Sequence, residues 1–296
     1  MTSLETAIEA MLLRGGIVEE SIRINNPELL DLFSTYHNEA IESRKFLDSS
    51  LSKLKPGDKI LEIGGGIQAL AIQLASEGFK ITSVEPAGES FVTMLPILKL
   101  FSETEGKELN YQYIEKPIEE CHFESKFDFI FSINVMEHLR DPYSVISQVL
   151  GNLSSNGSYH FFCPNYDFPY EPHFGKWLWV RKNKAFFLKP SNAFNPRLMG
   201  ENQLALYKSI NFITVKKVEK YCSSNEFVSF VENAALYRLM LRSLNDSRLR
   251  NRHLHLVKFV EALNWMGFLS LAKFIPKQFQ PIMDITIKKK NPENHN

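Results

Sequence analysis

The chain has 296 residues, 44% of them hydrophobic and 23% charged, an ordinary globular composition that excludes a disordered protein. Lysine plus arginine and aspartate plus glutamate both number 34, so no net field draws the chain toward nucleic acid. The three cysteines, Cys121, Cys163 and Cys222, lie far apart without a CxxC, which excludes a disulfide framework and points to a reducing, cytoplasmic compartment.

The first sixteen residues read as an amphipathic helix rather than a secretory signal, and no apolar run is long enough to span a membrane. Residues 4–50 read as two or three helices, with apolar residues at helical spacing in Leu29, Leu30, Leu32 and Phe33 and again in Phe46, Leu47 and Leu51. Together they form an N-terminal helical cap over 1–54. Lys55-Pro56-Gly57-Asp58 is a turn. The period then changes, and 59–63 is a short, nearly continuous apolar run, as in a buried parallel strand.

Gly64-Gly65-Gly66 follows, then a helix over 69–77 closed by Gly78, and a second strand over 81–84 that ends in Glu85-Pro86. A helix is expected around 91–101, and strands at 111–114 and 127–132. A helix over 143–153 ends at an Asn156-Gly157 turn, and 159–163 forms a fifth strand. Strands alternating with helices predict a mostly parallel sheet with crossovers on both faces. Residues 164–200, rich in Pro, Asn and aromatics, read as loop. Beyond them, 202–209 reads as helix, 212–218 as a strand and 281–288 as the last strand, with a mostly helical stretch between the last two.

A strand, three glycines and a helix place backbone N–H groups and a positive helix end around a ligand. Glu85, ending the next strand, stands where a carboxylate can accept from both ribose hydroxyls of a nucleoside. That order of elements serves NAD and S-adenosylmethionine alike, and Gly64, Gly66 and Ala69 also fit a dinucleotide fingerprint.

The run Leu61-Glu62-Ile63-Gly64-Gly65-Gly66-Ile67-Gln68 resembles the ExGxGxG signature of class I S-adenosylmethionine-dependent methyltransferases, with Gln68 where the last glycine stands. Phe127–Ser132 followed by Asn134-Val135-Met136-Glu137-His138-Leu139-Arg140-Asp141-Pro142 is similar to the fourth-strand segment of the same family. The resemblance covers roughly residues 55–165. It implies a Rossmann-like, seven-strand α/β core over 55–219 and 280–290, a substrate loop at 165–200 and a helical insertion at 220–279. It also implies S-adenosylmethionine as cofactor, with Glu62, Gly64, Gly65, Gly66, Gln68, Glu85, Pro86, Glu115, Asn134 and Val135 around it. In that family Glu62 helps position the methionine moiety, and an acid near Glu115 often bonds the adenine amino group.

Methyl transfer from a sulfonium needs an aligned nucleophile and sometimes a base. Glu137, His138 and His173 are the candidate catalytic residues, and Pro169 and Pro172 restrict the backbone around Glu171 and His173 and help present their polar groups. In ubiquinone-pathway and small-RNA 2′-O-methyltransferases an E-x-x-E-H segment supplies divalent metal ligands. Here Asn134 replaces the first Glu, so no metal is expected, although Glu137, His138 and His173 could supply three ligands.

Trp177, Trp179, Phe186, Phe187 and Phe194, interleaved with Lys176, Arg181, Lys182, Lys184 and Lys189, could line an acceptor pocket or form a solvated basic loop. The basic stretch at 238–258 leads into an apolar helix candidate over 254–275, broken at Gly267. This segment, 248–276, could pack in the core, dimerise or lie on a membrane surface. The acceptor is expected to be an oxygen of a small molecule, since no DPPY or NPPY motif follows the fourth strand. A catalytically inactive S-adenosylmethionine-binding partner protein is the alternative reading, and an RNA 2′-O-methyltransferase the third.

Overall fold

The computed structural model describes residues 2–86, 94–106, 108–174, 176–177, 206, 208–225, 227–232, 234–245 and 254–290. Two compact units emerge: residues 1–133 with 145–159, and residues 134–144 with 160–296. A seven-stranded sheet runs in the order β3-β2-β1-β4-β5-β9-β8. Its strands are β1 (Lys59–Ile63), β2 (Lys80–Val84), β3 (Tyr111–Ile114), β4 (Phe127–Ile133), β5 (Leu153–Pro164), β8 (Phe227–Val231) and β9 (Ile282–Lys289). β1 to β4 pair in parallel, while β8 and β9 are antiparallel. This is the expected mostly parallel, Rossmann-like α/β sheet.

In the first unit, α1 (Leu4–Asn25) and α2 (Leu30–Leu51) are joined by a single 3-10 turn, Pro27–Leu29. Ala7, Met11, Val18 and Ile22 recur at helical spacing and are buried. Gly15 completes that stripe because a Cβ there would come within 2.1 Å of the His37 ring. α3 (Ala69–Ser76) is buried from Ala69 to Ala75, Gln73 included, and the reason is its position between two cores. One face packs with Leu47, Leu51, Ile60, Phe79, Ile81, Phe129 and Phe131, the other with Val18, Ile22, Phe33, Ile97 and Phe101. Phe101 lies on α4 (Leu95–Glu105). The buried Arg44 guanidinium donates twice to Glu77 (2.9 and 2.8 Å) and once to Asp48 (2.9 Å), pinning α2 to the end of α3. Removing one partner of such a buried pair is costly, so it fixes their relative placement.

α5 (Pro142–Gly151) ends earlier than the expected boundary at 153, and the turn falls at Asn152. The Asn156-Gly157 pair, expected as that turn, lies inside β5. Gly157 is there because β4 passes close by: a Cβ would sit 2.9 Å from the Phe127 carbonyl.

In the second unit, the strand expected over 212–218 is instead helix α6 (Val215–Ser224). Its β-branched start looks like a strand, yet Phe212 takes a left-handed φ of 53° and ends any extended run. Thr214 then caps the helix by accepting from the Lys217 N–H, and Val215, Val218 and Cys222 form a buried helical stripe. The missing sheet strand is β8, near the start of the segment expected to be mostly helical. α7 (Ala235–Asn245), α8 (Leu254–Trp265) and two 3-10 turns complete that segment. The 164–200 stretch is not wholly loop either, since β6 (Tyr170–Glu171) and β7 (Lys176–Trp177) pair as a hairpin. Trp179 to Phe194, with the interleaved Arg181, Lys182, Lys184 and Lys189, lies outside the described residues, as do 246–253.

Candidate active site

The glycine loop follows β1, and its three glycines answer three different demands. Gly64 and Gly66 have φ of 78° and 51°, open to glycine at little cost. Gly65 has no such φ. A Cβ there would lie 2.0 Å from Ser83 Oγ, 2.5 Å from Gln68 Nε2 and 3.0 Å from Glu62 Oε2, so the loop rests directly on the side chains beneath it. The Gly66 N–H donates to Glu85 Oε2 (3.0 Å), and the Gly64 N–H donates to the Val84 carbonyl (2.7 Å). Glu85 is thus built into the loop as well as standing at the end of β2.

Glu62 is buried and accepts from the Ser83 hydroxyl at 2.9 Å. Burial, reinforced by the charge of Glu85, pushes its pKa up to about 7 despite that hydrogen bond. Burial likewise raises Glu85, with the Gly66 hydrogen bond opposing. Gln68 caps α3 in the left-handed region (φ 67°) and is fully buried. Its Oε1 accepts from Tyr111 (2.7 Å), and its Nε2 has no hydrogen-bond partner among the described residues. Gln68 therefore points inward, toward Tyr111 on β3. Tyr113, on β3, donates to the Glu85 carbonyl at 3.2 Å. Pro86 and Glu115 are exposed.

The second unit holds the remaining expected residues. Asn134, exposed, has a left-handed φ of 56°, its N–H donates to the Phe162 carbonyl, and Val135 follows it. This kink redirects the chain into the 3-10 turn Met136–His138, which Asn211 fixes from outside. Asn211 Nδ2 donates to the Met136 and Leu139 carbonyls (2.7 and 2.9 Å), and its N–H donates to the Glu137 carbonyl (2.8 Å). The turn carries Glu137 and His138 inward.

His173 sits on the β6–β7 hairpin turn, and Glu171 organises that turn. Glu171 accepts from the His173 N–H (3.2 Å), the Phe174 N–H (2.6 Å) and the Tyr166 hydroxyl (3.2 Å), and lies 2.6 Å from His173 Nδ1. A carboxylate only accepts, so Nδ1 of His173 carries a proton, and in the neutral ring Nε2 presents a lone pair. His138 is set the same way. Ser209 spends its hydroxyl hydrogen on the Leu206 carbonyl, so its oxygen accepts from His138 Nδ1–H at 2.9 Å.

Both Nε2 atoms approach Glu137 Oε1, at 3.8 Å from His138 and 3.9 Å from His173. The histidine rings meet edge to face, with centroids 5.0 Å apart. Glu137 is fully buried, and neither carboxyl oxygen has a hydrogen-bond partner among the described residues. Burial raises its pKa to about 7 against the pull of His173, while burial and the neighbouring His173 charge lower His138 to about 3. One ligand atom from each of the three lies within 4.8 Å of the others, so sequence-expected residues far apart in the chain converge. Ser209 and Asn211, which hold His138 and its turn in place, were absent from the expected set, while Glu171 was expected as a polar group presented beside His173 without the orienting role it has here.

A family model described as a methyltransferase domain matches residues 36–207. A Mycobacterium tuberculosis protein described as uncharacterised, Rv1509, is 33% identical over 281 residues, covering 92% of this chain and 93% of its own. The ubiquinone biosynthesis O-methyltransferase of Cronobacter sakazakii is 30% identical over 108 residues, 36% of this chain and 42% of that protein. Among solved structures, a Haemonchus contortus phosphoethanolamine N-methyltransferase 2 with S-adenosyl-L-methionine aligns at TM-score 0.48 and 16% identity, over 80% of this chain and 50% of that one.

Proposed function

Since the chain belongs to the methyltransferase-domain family, we propose that it moves a methyl group from S-adenosylmethionine to an oxygen of a small molecule, a sugar, lipid or quinone-type metabolite. The donor is assigned to the glycine loop of the first unit, where Glu85 ends β2 and the backbone of 64–66 precedes a helix N-terminus. The observation that carries an oxygen acceptor is the inward-facing Glu137, His138 and His173 cluster of the second unit. An oxygen nucleophile must shed a proton as it attacks: the C–O bond forms, the C–S bond breaks, and the sulfonium becomes a neutral thioether. His173 is the group we assign to take that proton at Nε2. Glu171 holds its opposite nitrogen, and the Glu137 carboxylate faces the imidazolium that results. Burial holds His138 neutral, its pKa lowered to about 3, so it is not the group assigned to take the proton.

The two buried oxygens of Glu137, without a hydrogen-bond partner among the described residues, favour a second reading of the same cluster. Three electron-rich atoms facing one another call for a cation between them, and carboxylate with two imidazoles suits a divalent transition ion. Bound there, such an ion would lower the pKa of an acceptor hydroxyl. Glu171 and Ser209 would orient its histidines through their Nδ1 atoms.

Calorimetry with S-adenosylmethionine, then methyl-transfer assays on a panel of hydroxylated metabolites, tests the main reading. Binding without transfer to any acceptor would favour the inactive-partner alternative. His173→Ala should lower kcat at least a hundredfold with cofactor affinity unchanged. Chelation with manganese or zinc add-back, followed by both activity and melting temperature, separates the two readings. Loss and recovery of both assign the cluster to a metal.

A further inference from the structure

The 3-10 helix Leu269–Phe274 sorts its residues by a simple rule. Three residues per turn stack Leu269 and Ala272 on one side and Phe268, Leu271 and Phe274 on another. The first row is buried and anchors the segment. The second row is exposed, at 53%, 57% and 81%.

The chain leading into it adds to the same display. α8 closes with the Gly267 N–H donating to Asn264 and the Phe268 N–H donating to Leu263, with Gly267 at φ 74°. This cap leaves Trp265 88% exposed and Met266 exposed beside it. Phe279, in the next 3-10 turn, is also exposed. Six large apolar side chains, four of them aromatic, therefore face outward within 265–279.

Charge distinguishes what could cover them. The chain is neutral overall, yet residues 254–290 contain six lysines against two acids, Glu261 and Asp284. Within 265–279 itself the charged residues are Lys273, which is exposed, and Lys277, which pairs with Glu219. Asp284 is buried against His160 and Arg238, so it adds nothing outside. Two copies meeting through this face would set lysines against lysines. An anionic surface meets both features at once, with aromatic side chains at the headgroup level and lysines on phosphates. No helix among the described residues is long and apolar enough to cross a membrane. We propose that the 265–279 face docks in the interface of a bilayer bearing anionic phosphate headgroups. This goes beyond the methyl-transfer reading and stands on different residues.

Flotation of the full chain with vesicles of phosphatidylcholine, alone or mixed with phosphatidylglycerol, tests it. The chain should float with the mixed vesicles roughly tenfold more than with the neutral ones. Phe268→Ser combined with Leu271→Ser and Phe274→Ser should abolish flotation at an unchanged melting temperature. Lys258→Gln with Lys273→Gln should weaken it on the order of tenfold. Should the triple variant fail to fold, Trp265→Ser, at a fully outward position, must still lower flotation severalfold. No flotation of the full chain with the mixed vesicles overturns the proposal, as does undiminished flotation of the folded serine variants. A concentration-dependent dimer, lost in the triple variant and accompanied by no vesicle binding, assigns the face to protein contact and overturns it as well.

Discussion

Glu62 lies fully buried under the glycine loop, where burial and the charge of Glu85 hold its pKa near 7 rather than the ordinary 4.5. Between those two values the folded chain keeps a proton on Glu62 that the unfolded chain releases. The stability this group permits is therefore fully present below about pH 4.5 and is lost as the pH rises through about 7. Glu62→Gln keeps an acceptor for Ser83 and removes the charge. The variant should melt with the wild type at pH 4 and above it at pH 8, by up to roughly 3 kcal/mol. Parallel melting curves at both values would remove the burial argument. Gly65→Ala tests the packing of the same loop. Its Cβ would meet Ser83 Oγ at 2.0 Å, so it should cost about 1–3 kcal/mol and weaken cofactor binding. Ser83→Ala in the same chain should return part of the lost stability, which chemical denaturation measures.

At the scale of elements, α6 shows how a cap decides between two local structures. Thr214 accepts from the Lys217 N–H and turns a β-branched run into a helix. Thr214→Ala should cost about 1 kcal/mol, and Thr214→Ser should restore it, as read by denaturant midpoints at constant slope. The sequence made β1 to β4 readable because buried parallel strands are short apolar runs ended by glycine or an acid. It hid α6 and β8 because Ile213-Thr214-Val215 has strand chemistry, while the left-handed Phe212 that interrupts it leaves no compositional mark. It hid the β6–β7 hairpin because two-residue strands are too short to show a period, and the carboxylate that closes the turn on the 173 and 174 N–H groups is a glutamate rather than the Asp, Asn or Ser that marks most turns. The same limit applies to the site. Glu137, His138 and His173 stand out as chemistry-bearing types. Ser209 and Asn211 do not, since polar residues that satisfy distant backbone groups look like any others until the chain is folded.

Across the whole molecule the decisive quantity is where charge sits rather than how much there is. With equal numbers of acids and bases, the chain as a whole gives a vesicle no long-range attraction. The electrostatic part of the proposed binding is assigned to the exposed lysines nearest in sequence to the apolar row, Lys258 and Lys273, acting within a Debye length of about 8–10 Å at ordinary ionic strength. The apolar row Phe268, Leu271 and Phe274 contributes independently of salt, because burial of apolar area is not screened. Flotation with anionic vesicles should therefore fall severalfold as salt rises from about 0.05 to 0.5 M, and then level off rather than vanish. Lys258→Gln with Lys273→Gln should flatten the falling part and leave the plateau. The triple serine variant should lose the plateau and show no flotation at any point of the series. A salt series on the three proteins measures both parts, and a binding curve independent of salt in the wild type would leave the lysines without a role.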